Sequence, residues 1–114
     1  MKQNSRKAKS RYLQNIVRDR IVELYPVLTK KDIRTSNTGE HGADVRLLTH
    51  TSKKLFSYSV ETKNVKSYRL LYEAFKQAKR HTNMEPLLVL KGQRQKPVVV
   101  LDMEHFFKLL EEGN

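Results

Sequence analysis

The chain has 114 residues, of which 38% are hydrophobic, enough for one domain with a modest core and too few for two. Its 23 Lys and Arg against 12 Asp and Glu give a formal net charge of +11, the electrostatic footprint of a polyanion binder. The absence of cysteine excludes disulfides, zinc–thiolate sites and thiol nucleophiles, and no apolar run is long enough to span a bilayer or to serve as the core of a leader after Met1.

Residues 1–10 carry Lys2, Arg6, Lys7 and Lys9 and read as a basic, frayed arm that would touch phosphates without reading sequence, ahead of a single domain over residues 11–114. Residues 11–25 form an amphipathic helix: Leu13, Ile16, Val17, Ile21 and Leu24 recur at steps of three and four, and Pro26 stops the run. Gln14, Arg18 and Asp19 fall off that stripe, on what reads as a solvated face. Residues 32–37 have weak strand character, and Ser36-Asn37-Thr38-Gly39 is turn chemistry. Glycines in the following stretch, Thr38 to Gly42, permit either close backbone approach to a phosphate or simply a tight connection. Glu40 reads as a loop carboxylate or as a third acid near a metal. His41 either touches substrate or is solvated, and His41, His50, His81 and His105 show no metal-ligand spacing.

The segment Gly42-Ala43-Asp44-Val45 is followed seventeen residues after Asp44 by Glu61-Thr62-Lys63. Side chains of a strand alternate faces, so Glu61 and Lys63 point the same way, roughly 7 Å apart. If residues 43–48 pair antiparallel with 55–63 around a turn at 49–54, Asp44 falls opposite or diagonally next to Glu61. Two hard carboxylates suit Mg²⁺, which lowers the pKa of a bound water and polarises a phosphate, and a lysine beside them stabilises charge growing on that phosphate. Asp44 and Glu61 are thus candidate metal ligands and Lys63 a candidate catalytic cation. The same spacing also fits an ordinary cross-strand surface pair of little energetic weight.

Downstream, residues 68–81 form a second helix with Leu71, Ala74, Phe75 and Ala78 as its buried stripe, Gln77 at the stripe's edge, and Lys76, Lys79 and Arg80 in the last turns, where cations favour the helix dipole. Residues 85–90 and 97–101 contain continuous apolar runs suited to strands buried on both faces, joined by a basic tip at 92–96. Asp102 caps a closing helix through Glu112 that carries Phe106, Phe107, Leu109 and Leu110, and Gly113 ends it. The order α-β-β-β-α-β-β-α is that of an α/β domain with a central mixed sheet flanked by helices.

Asp44 at the start of a strand, Glu61-Thr62-Lys63 on the next, and a following helix with Lys76-Gln77-Ala78 together resemble the PD-(D/E)xK nuclease superfamily. The stretches Asp32 to Ser36 and Phe56 to Asn64 narrow the likeness to small phage-type nucleases and archaeal-type Holliday junction resolvases, over roughly residues 11–90. The resemblance implies a restriction-endonuclease-like fold and Mg²⁺-dependent endonuclease activity on DNA, with Mn²⁺ as a substitute. It gives Asp44 and Glu61 as metal ligands, Lys63 as the catalytic lysine and Gln77 as a helix residue near the site. For a resolvase it implies branched DNA as substrate and a homodimer with two copies of one site, in the cytoplasm, that of the host if the chain is phage-encoded. Family members often add an acid from the first helix. Here Gln14 falls in that place, with Asp19 and Glu23 the alternatives, and Gly42-Ala43 precede Asp44 where many members have Pro. Candidate nucleic-acid-binding residues are Lys2, Arg6, Lys7, Lys9, Gln14, Ser36, His41, Lys66, Lys79 and Arg80. A nuclease of nicking, linear-duplex or single-strand specificity and a non-catalytic nucleic-acid-binding protein are the competing functions.

Overall fold

Between Lys2 and Pro26 no glycine or proline interrupts the chain, and long unbranched side chains dominate its first half, so nothing opposes a helix there. In the computed structural model, which describes residues 2–80 and 83–113 with side chains from residue 8 onward, helix α1 accordingly spans Lys2–Leu24. The helix expected from residue 11 therefore starts nine residues earlier, and the basic segment read as a frayed arm has helical backbone. Pro26 ends it, after a last turn closed by the Tyr25 N–H on the Ile21 carbonyl at 2.9 Å.

The described chain divides into two compact units, Met1–Asn64 and Val65–Asn114. In the first, β1 (Ile33–Thr35) pairs antiparallel with β2 (Val45–Leu47), in the register Ile33 to Leu47, Arg34 to Arg46 and Thr35 to Val45. Helix α1 lies against both strands, and Ile21, Leu28, Ile33, Val45 and Phe56 form the buried core.

The expected hairpin of residues 43–48 with 55–63 does not form. Where a turn was expected, Thr49 caps a short helix, α2 (His50–Leu55). The cap is reciprocal: the Ser52 N–H donates to Thr49 Oγ1 at 3.2 Å and the Thr49 N–H to Ser52 Oγ at 3.1 Å. The Thr49 hydroxyl also donates to Asp32 Oδ1 at 2.8 Å, fastening the cap to the turn before β1. These side-chain bonds satisfy backbone groups that a sheet ladder would otherwise use. Among the described residues, the returning chain pairs with β2 at a single antiparallel bridge, of Val60 with Val45.

In the second unit, α3 (Arg69–Arg80) presents Leu71, Ala74, Phe75 and Ala78 as its least exposed residues, half-buried as expected of the stripe. His81, placed at that helix's end by the sequence, lies outside the described residues. Strands β3 (Leu88–Leu90) and β4 (Val98–Val100) pair antiparallel, Val89 opposite Val99. Asp102 caps α4 (Met103–Gly113) as expected, its Oδ1 accepting from the Glu104 and His105 N–H groups at 2.9 and 3.2 Å. Phe107 is buried and Leu109 exposed. The strands are not buried on both faces: Val89 and Val99 are each 59% exposed. A two-stranded ribbon in a unit of this size has too little surrounding structure to cover two faces.

The fold is thus mixed α/β, in the order α-β-β-α-α-β-β-α. Among the described residues it holds two two-stranded antiparallel sheets rather than one central mixed sheet: the third expected strand, over residues 55–63, reduces to a single bridge.

Candidate functional site

Asp44 sits at the entrance to β2, held at both backbone groups. Its N–H donates to the Val60 carbonyl at 2.8 Å and its carbonyl accepts from the Ser36 N–H at 2.9 Å. The side chain is half-buried. Oδ2 accepts from the Thr62 N–H at 2.6 Å and from the Thr62 hydroxyl at 3.2 Å, while Oδ1 has no hydrogen bond among the described residues. Residues 60–62 are therefore pinned to Asp44 by one backbone and two side-chain bonds, and Asn64 Nδ2 anchors the segment further by donating to the Lys9 carbonyl of α1 at 2.9 Å.

The bridge register sets Glu61 across from Asp44, near the expected placement, but the side chain that touches Asp44 is that of Thr62. Glu61 and Lys63 pair with each other, Nζ to Oε1 at 3.5 Å, and are 64% and 69% exposed. No ion pair or hydrogen bond joins either to Asp44 among the described residues, and no group of three His, Asp or Glu side chains comes together there. No sequence motif marks Thr62. Its role emerges only from the hydrogen-bond geometry.

Asp44 opens onto a polar cavity of about 230 Å³ whose lining includes Ser10, Arg11, Gln14, Ser36 and Glu40. Gln14, expected on a solvated helix face, is buried and reaches this cavity from α1. The two other first-helix candidates do not. Asp19 and Glu23 line a different cavity of about 850 Å³ with Val22, Leu28 and Ile33. Asp19 is exposed and paired with Arg18 at 2.9 Å, and Glu23 with Arg20 at 4.0 Å. They point elsewhere because α1 places them one and two turns beyond Gln14 and off its face.

Glu40 is not an available third metal ligand. Arg34 grips its carboxylate with both terminal nitrogens, at 2.9 and 2.7 Å, the Asn37 N–H donates at 2.8 Å, and Arg46 Nε lies 3.3 Å away. The Arg34 hydrogen bonds, then that of Asn37, lower its pKa from the ordinary 4.5 to about 2. Arg34 and Arg46 stand opposite each other across β1 and β2, a juxtaposition invisible until the strands are paired in register. Gly42 completes the cluster. Its φ of +109° favours glycine, and a Cβ there would meet Arg46 Nη2 at 2.9 Å.

Of the remaining candidates, His41 is exposed in the loop, Ser36 lines the cavity beside Asp44, and Lys9 is exposed on α1. The side chains of Lys2, Arg6 and Lys7 lie outside the described residues. Gln77, Lys79 and Arg80 are exposed on α3, and Lys66 is exposed ahead of it, all in the second unit. No helix among the described residues is long and apolar enough to cross a membrane. Comparison with protein-family models, with curated proteins and with solved structures returned no match.

Proposed function

We propose that the chain is a divalent-metal-dependent nuclease of DNA, with branched DNA its favoured substrate and a homodimer its working form. The observation that carries the reading is the placement of Asp44. It is a half-buried carboxylate with one oxygen free of hydrogen bonds among the described residues, facing a polar cavity shared with Gln14 and pinned alongside the Glu61-Thr62-Lys63 segment, in a chain of net charge +11.

The donors fit a hard cation: Mg²⁺ is held by one or two carboxylates and keeps waters and substrate oxygens as its other ligands. Asp44 and Glu61 would hold it. When bound, the metal supplies a water of lowered pKa and a counter-charge for the scissile phosphate. Thr62 fixes which Asp44 oxygen remains open by occupying the other. The Lys63 ammonium, now shared with Glu61, orients the attacking water and balances charge on the phosphoryl oxygens. The Lys and Arg excess holds the DNA through its phosphates, without base readout. A second reading, a nucleic-acid-binding protein without catalysis, is one that the net charge of +11 alone would fit.

The test is cleavage of a four-way junction, the corresponding linear duplex and a single strand, each with Mg²⁺ and with chelator. Metal-dependent cutting greatest on the junction is the expected result. Cutting alike on all three would leave a nuclease of other specificity, and binding without cutting would leave the non-catalytic reading.

A further inference from the structure

Arg34, Glu40 and Arg46 form a cluster whose charges do not balance. The two arginines face each other across β1 and β2, where like charges repel, and a single carboxylate lies between them. One positive charge is left over. Arg34 spends its fork on Glu40. Arg46 does not: its Nε is near enough to Glu40 for Coulomb attraction, at 3.3 Å, yet misaligned for a hydrogen bond. Nε and Nη2 are both buried without a hydrogen-bond partner among the described residues. Buried donors without acceptors are costly, so the site as folded is suited to an anion whose oxygens reach both guanidinium groups at once. A phosphodiester meets that need, because two guanidinium forks match phosphate oxygens in the geometry that Arg34 already applies to Glu40.

We infer that Arg34 and Arg46 form a binding site for a backbone phosphodiester of nucleic acid, which Glu40 occupies as an internal anion in the free protein. The inference rests on the reading proposed above in taking nucleic acid as the polyanion, and does not require that it be cut. The position of Glu40 supports it. The residue lies between Gly39 and Gly42, with φ of +78° and +109°, so glycines flank the segment that must turn for the carboxylate to leave. Glu40 also lines the polar cavity onto which Asp44 opens, so a phosphate that displaces it lies beside the candidate site. The competing explanation is that Glu40 only neutralises a cross-strand arginine pair.

Binding of a DNA duplex of about one helical turn, measured in chelator, separates the two. If Glu40 leaves the site about one-tenth of the time, Glu40→Gln raises affinity about tenfold. The exposed control Glu111→Gln, with the same change in charge, shifts it about twofold or less at physiological salt. Arg34→Ala and Arg46→Ala each lower the slope of log affinity against log salt by about 0.9 for every phosphate left without its arginine. Equal effects of the two Gln variants, or weaker binding by Glu40→Gln, would overturn the inference.

Should Glu40→Gln fail to fold, the wild-type chain supplies the answer by nuclear magnetic resonance. Titration with the same duplex must shift the Nε–H signals of Arg34 and Arg46 and the Asn37 amide, whose N–H is bonded to Glu40. Unmoved signals at saturating DNA overturn it. An equal response to inorganic phosphate at matched phosphate concentration overturns the nucleic-acid assignment. Cleavage is not read here, so a chain that binds as expected without cutting sinks only the nuclease reading, and an active nuclease whose arginine signals stay still sinks only this one.

Discussion

Asp44 and Glu61 differ in what their removal does to the fold, although both are assigned to the metal. Glu61 is exposed and, among the described residues, paired with Lys63 alone, so Glu61→Gln should leave stability within about 0.5 kcal/mol of wild type. Asp44 accepts two hydrogen bonds from Thr62, so Asp44→Asn exchanges a charged acceptor for a neutral one and should cost about 1 kcal/mol. Both should lose Mg²⁺-dependent cleavage, and calorimetry should show weaker Mg²⁺ binding in both; unchanged affinity in the pair would remove them as ligands. Glu40 gives a separate expectation in acid. Its folded pKa is depressed from 4.5 to about 2, so the stability it contributes is fully present above pH 4.5 and is lost as pH falls through that window. Urea unfolding across the window should show wild type losing more stability than Glu40→Gln; parallel curves would contradict the ion cluster. At this scale spacing anticipated that Glu61 lies across from Asp44 in the backbone register, although no ion pair or hydrogen bond joins the two side chains among the described residues. The sequence was silent on Thr62, Arg34 and Arg46, whose roles depend on which backbone lies beside which.

Helices α3 and α4 and the cap at Asp102 followed from periodicity and local side-chain chemistry, which act within a few residues. The strands did not, because pairing is non-local: β1 finds β2 across the loop of residues 36–44, and neither three-residue run announces its partner. That a helix stands at the turn expected over 49–54 has a local cause. Thr49 and Ser52 make a reciprocal cap with a serine where the usual signature has Glu or Gln, so the common pattern does not mark the helix start. Thr49→Ala should be costly for so short a helix, since the hydroxyl accepts from Ser52 and donates to Asp32 at once. The expected loss is about 1–2 kcal/mol, read as a lower urea midpoint. A midpoint unchanged from wild type would show that α2 does not depend on its cap.

Over the whole molecule the dominant quantity is the charge of +11, which ties affinity for any polyanion to ionic strength. The basic start of α1 is the natural place to probe it. Deleting residues 1–7 removes Lys2, Arg6 and Lys7 while keeping the Lys9 carbonyl that accepts from Asn64. The slope of log affinity against log salt should fall by about 0.9 for each phosphate these cations neutralise, and an unchanged slope would mean that this end of the helix does not touch DNA. The mixed α/β class was legible at this scale, since apolar runs and helical stripes mark most of the elements, α2 and the missing third strand excepted. Their grouping into two small sheets was not, because a sheet is assembled by pairing between segments far apart in sequence. The central claim, a metal-dependent nuclease acting through Asp44, Glu61 and Lys63, meets its most direct test in single-turnover cleavage of a four-way junction by wild type and by Lys63→Ala, with DNA binding measured on the same samples. Lys63 is 69% exposed and acts on charge developing in the transition state, so its loss should fall on the rate and leave binding and fold intact. The expected result is Mg²⁺-dependent cutting by wild type, abolished by chelator and reduced at least about a hundredfold in the variant at near-equal affinity. No cutting by wild type with Mg²⁺, or cutting by Lys63→Ala within about tenfold of wild type, would contradict the claim.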